Sequence, residues 1–308
     1  MKVLITGGAG YIGTELTIQL EKETNVNEII IYDNLSRNNY NIFLHSRIKR
    51  GKVKFIKGDI LDSRKLKEIL KDIDVVYHLA ARVTTPFSNE SPHLFEQVNN
   101  WGTAELVYAV EDSNVKKFIY VSSSSVYGSS DNKVDINTFP NPETFYGISK
   151  LQGEKHVERL FNKIDTYIIR SGNVYGFGVS MRFDAVINKF MFDASFTGRI
   201  SVNGNGKQHR AFVHVDKLVD VLKNINLSGY KSGIYNLVDK NISVIELSDL
   251  IKDIYPDIEM IFINQHLKLR ELIVIPDDRL QKLISIPEKN LREEFEEFSI
   301  KFHNSSIE

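Results

Sequence analysis

Through the first half of the chain, short runs of consecutive apolar residues alternate with longer stretches in which apolar residues recur at helical spacing. The run Val3-Leu4-Ile5 marks a strand at 2–6; a glycine-rich turn follows, then helical spacing from Tyr11 to Glu23. The same reading predicts strands at 28–33, 53–57, 74–79, 117–122 and 166–170, and helices at 63–70, 92–112 and 145–161. Continuous apolar runs, rather than alternating ones, are what strands need when helices cover both faces of a parallel sheet. Strands alternating with helices of this length make βαβ units. The second half is less regular. It predicts a helix at 179–196, two short strands within 199–213 around the turn Asn203-Gly204-Asn205-Gly206, a helix at 214–225 and a strand at 233–237. A capping box, Ser243 with Glu246, opens a helix at 243–254, and a charged helix is expected at 291–303. With no repeat and no linker, the expected architecture is an α/β, Rossmann-like doubly wound parallel sheet with a smaller C-terminal α/β substrate lobe. Residues 1–172 and about 211–240 form the first part; 173–210 and 241–308 form the second.

Composition acts by exclusion. The 308 residues are 42% hydrophobic and 26% charged, ordinary for a globular protein that can bury its own core. Lysine and arginine number 39 against 40 acidic residues, a formal net charge of -1, which speaks against a dedicated nucleic-acid binder. With no cysteine, disulfide frameworks, thiolate zinc sites and cysteine nucleophiles are excluded. The first apolar run stops at Thr6-Gly7, too short for a signal peptide, and no stretch approaches the ~20 apolar residues of a membrane span. A cytoplasmic protein with no membrane or nucleic-acid partner is expected. His78, His93, His156, His209, His214 and His266 show no metal-ligand spacing and are read as structural or surface residues, so no metal is expected.

Gly7-Gly8-Ala9-Gly10-Tyr11-Ile12-Gly13 joins the first strand to the first helix. Glycines there let the backbone turn tightly and approach a pyrophosphate, whose charge then lies at the helix N-terminus. The spacing is Gly-x-x-Gly-x-x-Gly, and a glycine cluster alone is also what an ordinary turn shows. Asp33 lies 20 residues past Gly13, at the end of the second strand. An acid at that place bonds the adenosine ribose hydroxyls and repels a 2′-phosphate, favouring NAD over NADP. Arg37 close behind could partly accommodate such a phosphate, and Asp33 beside Asn34 also reads as a turn residue. Asp59 could accept from an adenine amino group, and Leu79-Ala80-Ala81 is small enough for a cofactor to pass the backbone; a loop acid and simple packing are the plainer alternatives.

Ser122-Ser123-Ser124-Ser125 ends the fifth strand, and Tyr146-x-x-x-Lys150 puts a phenol and an amine on one face of the next helix. A Lys ammonium stabilises the neighbouring phenolate, a serine hydroxyl can bond the same oxygen, and the phenolate then serves as general base toward a substrate hydroxyl. Alone, the Tyr-x-x-x-Lys spacing is a common accident on a solvated face; after a Ser-ended strand and a dinucleotide turn it is a candidate catalytic set.

In this order the segments resemble the extended short-chain dehydrogenases of the NAD-dependent epimerase/dehydratase family, and within it the nucleotide-sugar 4-epimerases. The likeness runs over most of the chain: Gly7 to Gly13, Asp33-Asn34-Leu35, Gly58-Asp59-Ile60, His78-Leu79-Ala80-Ala81, Asn99 ahead of Gly102-Thr103, and Ser122 to Gly128. It continues through Tyr146-Gly147-Ile148-Ser149-Lys150, Arg170 to Gly176 and Gly204 to Asp216. The resemblance implies Ser123, Tyr146 and Lys150 as the catalytic set. It implies NAD as cofactor, held by Gly7, Gly10, Tyr11, Ile12, Gly13, Asp33, Asn34, Ser36, Asp59, Ile60, Leu79, Ala80, Ala81, Asn99, Tyr146 and Lys150. It implies Ser123, Asn173 and Arg210 as contacts to a nucleotide sugar, with UDP-sugars favoured, and a planar guanidinium suits a diphosphate. Arg270 is the candidate for a second arginine on that diphosphate. A homodimer through the helices near 99–112 and 145–161 is also implied.

Departures from the family pattern narrow the reaction. The 4,6-dehydratases carry an Asp-Glu pair after the catalytic Ser or Thr, and the sugar-acid decarboxylases a Glu nearby; here stand Ser124 and Ser125. Epimerase-reductases that often use a Cys are excluded by its absence. Phe177, Ala211 and Lys217 are peripheral changes. The expected activity is therefore an NAD-dependent nucleotide-sugar 4-epimerase of the UDP-glucose/UDP-galactose type. A nucleotide-4-ketosugar reductase, or another sugar dehydrogenase, is the alternative within the family, and a non-enzymatic NAD sensor the alternative outside it.

Overall fold

The computed structural model describes residues 1–44, 48, 51–83, 91–264 and 269–304. Its first strands are β1 (Lys2–Thr6), β2 (Glu28–Asp33), β3 (Val53–Lys57), β4 (Val75–His78), β5 (Lys117–Ser123) and β6 (Asp165–Ser171). Between them run α1 (Tyr11–Leu20), α2 (Asn41–Leu44), α3 (Ser63–Ile69), α4 (Pro92–Phe95), α5 (Gly102–Glu111) and α6 (Phe145–Val157). The rest comprises β7 (Asn173–Tyr175), α7 (Val186–Thr197), β8 (Arg199–Asn203), β9 (His209–His214), α8 (Val215–Ile225), β10 (Gly233–Leu237), β11 (Lys240–Ser243), α9 (Val244–Ile254), β12 (Glu259–Ile263), α10 (Asp278–Gln281) and α11 (Leu291–Asn304).

Seven parallel strands form the main sheet in the order β10-β6-β5-β4-β1-β2-β3. Such a Rossmann-like sheet is the architecture that the apolar runs imply. Alternate residues of one strand feed two different cores: Val3 and Ile5 pack on one face, Leu4 on the other. Connections leave β1 in one direction and β4 in the other, so a crevice opens at the carboxyl ends of these two strands, where open α/β sheets bind ligands. Two small sheets, β11-β9-β7 and β12-β8, stand beyond that edge.

Several expected elements differ in detail. The helix expected at 92–112 is broken by a π-helical turn at Glu96–Trp101, in which Asn99 is fully buried. The helix expected at 179–196 starts only at Val186; the chain before it is irregular and packs on α1, with the Thr14 hydroxyl 2.9 Å from Ser180 Oγ and Val179 N–H 2.8 Å from Glu15 Oε1. The two strands around Asn203-Gly204-Asn205-Gly206 are no hairpin. β8 pairs parallel with β12, whereas β9 pairs with β7 and β11, although Ile200 and Val202 of β8 share one core with Phe212 and Val213 of β9. The capping box of Ser243 and Glu246 is present. His266 lies outside the described residues.

Helix α6 packs on the sheet by an unusual surface. Its buried residues are Gly147, Ser149, Lys150, Gly153, Glu154 and Val157, so only one is a large apolar side chain. Polar contacts take over. Glu154 accepts from the Ser122 hydroxyl on β5 and from Arg170 on β6, whose Nε and Nη2 reach its two oxygens at 2.7–3.2 Å. Arg170 Nη1 continues to the Tyr127 hydroxyl at 3.1 Å, which donates to Asn236 Oδ1 of β10 at 2.8 Å. Breaking a buried ion pair strands its partner, so Glu154→Leu should cost about 3–5 kcal/mol in urea unfolding, and Glu154→Leu with Arg170→Met should recover much of it.

Candidate active site

At the crevice, Gly7 has φ +70°, and a Cβ there would stand 2.6 Å from the Ala80 nitrogen. The turn after β1 thus packs backbone to backbone against Leu79-Ala80-Ala81 after β4. A Cβ on Gly13 would stand 2.5 Å from Gly8 Cα, so the helix cannot start this close to the turn with a side chain there. Gly10 caps α1 without any side-chain hydrogen bond, which leaves the helix N-terminus bare at the mouth of this cradle. A bare helix start between glycines fits a pyrophosphate.

Asp33 stands at the adjoining end of β2. Its carboxylate accepts from Ala9 N–H at 3.1 Å and Leu35 N–H at 2.8 Å, which couples it to the glycine turn; burial raises its pKa, and these two bonds oppose the rise. Asn34 donates to Asp59 Oδ2 at 3.0 Å and accepts from Ser36 N–H at 2.9 Å, so these three residues shape one rim. Ile60 is buried behind them, against Gly102. Arg37, the residue that could have met a 2′-phosphate, pairs with Asp184 at 3.3 Å. Asp184 also takes both Nε and Nη2 of Arg182.

Asn99 grips the main chain of Arg82 in both directions, Oδ1 accepting at 2.7 Å and Nδ2 donating at 2.9 Å, and donates to Ser149 Oγ on α6 at 3.0 Å. His78 shows its tautomer. Thr103 Oγ1 donates to Asn99 O at 2.7 Å, so His78 Nε2 must donate to Thr103 and Nδ1 accepts from Thr6 at 2.7 Å. Burial, then Lys150, holds this imidazole neutral by driving its pKa well below the usual value. His156 and His214 likewise have structural partners, Asn100 Oδ1 and the start of α8.

Ser123, Tyr146 and Lys150 meet where β5 and α6 converge. The Ser123 hydroxyl stands near enough to the Tyr146 phenol to favour its ionised form, and accepts from Ser125 N–H at 3.1 Å. Lys150 Nζ donates to Val121 O at 2.6 Å and lies 4.1 Å above the Tyr120 ring. Burial lowers Lys150 to about 7 against a weaker upward pull from Glu154. Burial raises the Tyr146 phenol, while Ser123, Arg182 and Arg270 pull it back. Arg182, unremarked in the sequence, thus stands within electrostatic reach of the phenol; nothing in its surroundings of Met181 and Phe183 signalled this.

The remaining candidates line the small sheet. Asn173 donates to Ala211 O at 2.9 Å, beside Arg210 on β9. Arg270 donates to Ser125 Oγ at 3.3 Å, and its buried Nε has no partner. Burial, then the Arg270 charge, lowers Arg210 to about 10. Two guanidiniums close enough to repel, one with an orphaned donor, suit an anion. Among the described residues no group of three or more His, Asp or Glu could hold a metal, and no helix is long and apolar enough to cross a membrane.

With this geometry in hand, comparison with known proteins places the chain. It matches the NAD dependent epimerase/dehydratase family over residues 3–237. It is 33% identical over 270 residues to a dTDP-D-glucose 4,6-dehydratase of Dictyostelium discoideum, covering 82% of this chain and 62% of that one. A putative UDP-glucose 4-epimerase of Methanocaldococcus jannaschii is 33% identical over 259 residues, 81% of each chain. The crystal structure of a UDP-glucuronic acid 4-epimerase from Bacillus cereus in complex with NAD superposes with a TM-score of 0.81 at 25% identity, over 96% of this chain and 94% of that one.

The low pKa of Lys150 has a consequence for stability. In the unfolded chain a lysine titrates near ~10.4, so between about pH 7 and 10 the unfolded state binds more protons and Lys150 makes stability rise with pH. Thermal unfolding of the cofactor-free protein across this window should show that rise, and Lys150→Met should flatten it.

Proposed function

The chain belongs to the NAD-dependent epimerase/dehydratase family, and on that footing we propose that it is an NAD-dependent nucleotide-sugar 4-epimerase acting on a UDP-sugar. The observation that carries this reading is the placement of Ser123 at the end of β5 against Tyr146 and Lys150 on one face of α6, the Lys150 amine buried on Val121 O at 2.6 Å, with Ser124 and Ser125 following Ser123. Dehydration needs an acid and a base where these two serines stand; oxidation and reduction at one carbon do not. Ser125 is instead engaged by Arg270.

In this reading Tyr146 takes the proton of the C4 hydroxyl while Ser123 holds the same oxygen in place. NAD, when bound, supplies the acceptor and later the donor of the C4 hydride, and in its oxidised form a positive charge beside Tyr146. Burial alone pushes Tyr146 and Lys150 toward their neutral forms, so the phenolate and ammonium pair needs that positive charge to form. Arg210 and Arg270 hold the diphosphate and Asn173 the adjoining part of the nucleotide sugar; these contacts stay fixed while the sugar turns to present its other face. The glycine turn, Asp33 and the rim of Asn34, Ser36 and Asp59 hold the dinucleotide, with residues 1–172 and about 211–240 serving the cofactor and the remainder the sugar nucleotide. A cytoplasmic location is part of the same proposal. General acid–base groups contribute about 10²–10⁴-fold, so Tyr146→Phe should lower kcat by at least ~100-fold while nucleotide-sugar affinity changes little; full turnover by this variant would refute the assignment.

We also propose a homodimer through α5 and α6. Trp101 just ahead of α5, Tyr108 on α5 and Phe145 and Ile148 on α6 are exposed apolar side chains, Trp101 being 58% exposed. An exposed apolar patch marks an interface. Light scattering should give twice the chain mass for the wild type and the single-chain mass for Trp101→Glu combined with Ile148→Glu.

A further inference from the structure

The two arginines of the anion site rest on different supports. Arg210 lies in β9, fixed by its ladder to β11. Arg270 lies in an irregular segment, in neither helix nor strand. What fixes it is its neighbour. The Glu271 carboxylate takes two bonds from His209: the backbone N–H at 2.7 Å on Oε2 and ring Nδ1 at 2.8 Å on Oε1. A carboxylate only accepts, so Nδ1 carries the proton. The Glu271 main chain is held as well. Its N–H bonds Ser129 Oγ at 3.1 Å, its carbonyl accepts from Ser130 N–H at 2.9 Å, and the next N–H, of Leu272, reaches His209 O at 3.2 Å. Glu271 is therefore fastened to β9 on one side and to the loop beyond Tyr127 on the other, and Arg270 is carried between those points.

Glu271 also supplies charge. Two guanidiniums side by side repel, and the Glu271 carboxylate is the group that counters the effect of burial and of Arg270 on Arg210. Because His209 holds both carboxylate oxygens, that charge is kept in place. We propose that Glu271, clamped by His209, is the positioning residue of the anion site, holding Arg270 beside Arg210 and offsetting the charge of Arg210 until a nucleoside diphosphate arrives. This rests on the reading of the two arginines as a diphosphate site.

The test is calorimetric binding of UDP, dTDP, GDP and CDP to the purified holoenzyme, with the tightest of the four carried forward. Losing bonds that hold a charged group should weaken that binding about tenfold or more in Glu271→Ala, and less in Glu271→Gln, which keeps one acceptor for His209. Bound NAD should be unchanged in both variants. The decisive readout is the cycle with Arg270→Ala: in that background Glu271→Ala should add almost nothing, whereas a general structural effect would add in full. Wild-type affinity in Glu271→Ala, or full additivity in the cycle, overturns the role of Glu271. Should Glu271→Ala not fold, Glu271→Gln enters the same cycle, and the same two results overturn the role. If the wild type binds none of the four diphosphates, the reading of the arginine site itself falls, and the role of Glu271 with it.

Discussion

The site depends on one constraint: α6 must lie almost in backbone contact with the sheet while carrying two catalytic candidates on its buried face. Apolar packing cannot achieve this, because apart from Val157 the buried face consists of glycines, serine, lysine and glutamate. The approach is close enough that a Cβ on Gly153 would stand 2.6 Å from the Tyr120 hydroxyl and 2.7 Å from Asn99 O. What holds the helix down is the Glu154 carboxylate with its partners on β5 and β6, helped by Lys150 on Val121 O and Asn99 on Ser149. Buried charge is a costly fastening, tolerable only when every polar group is paired. It suits a site whose chemistry needs an amine and a phenol out of water, where their charges are felt strongly and hydrogen bonds fix their aim.

The same arrangement explains how one scaffold runs different reactions. In the proposed reading Ser123, Tyr146 and Lys150 move a proton and orient a hydroxyl for hydride transfer; removing water as well takes an acid and a base. Relatives of this chain include both dTDP-D-glucose 4,6-dehydratases and UDP-sugar 4-epimerases, so overall likeness does not choose between them. Positions 124 and 125 do. Ser124 is buried, and Ser125 is tied to Arg270, so neither position offers the acid and base that water removal takes.

Much of this was legible in the sequence where chemistry is local. The bounds of β1, β2 and β3 follow from short apolar runs ended by Gly, Asn or Asp. The glycine turn and Tyr146 to Lys150 declare themselves by spacing. What was not legible depends on distant partners. The turn at Asn203 to Gly206 reads as a hairpin, yet β8 pairs with β12, some sixty residues on, because no local signal says which sheet a half-buried strand will join. The π-helical turn that buries Asn99 leaves no mark in apolar periodicity. Arg270 was found by resemblance, but the roles of Arg182, His209 and Glu271 exist only once separate segments are folded together.

The measurement that tests the account most directly is proton NMR of UDP-sugars incubated with the enzyme in D2O. Hydride removal and return at C4 predicts the C4 epimer with its C4 proton retained, no deuterium in the ring and no net absorbance at 340 nm. A 4-keto-6-deoxy product with deuterium incorporated, or stoichiometric reduction of added NAD, would contradict it.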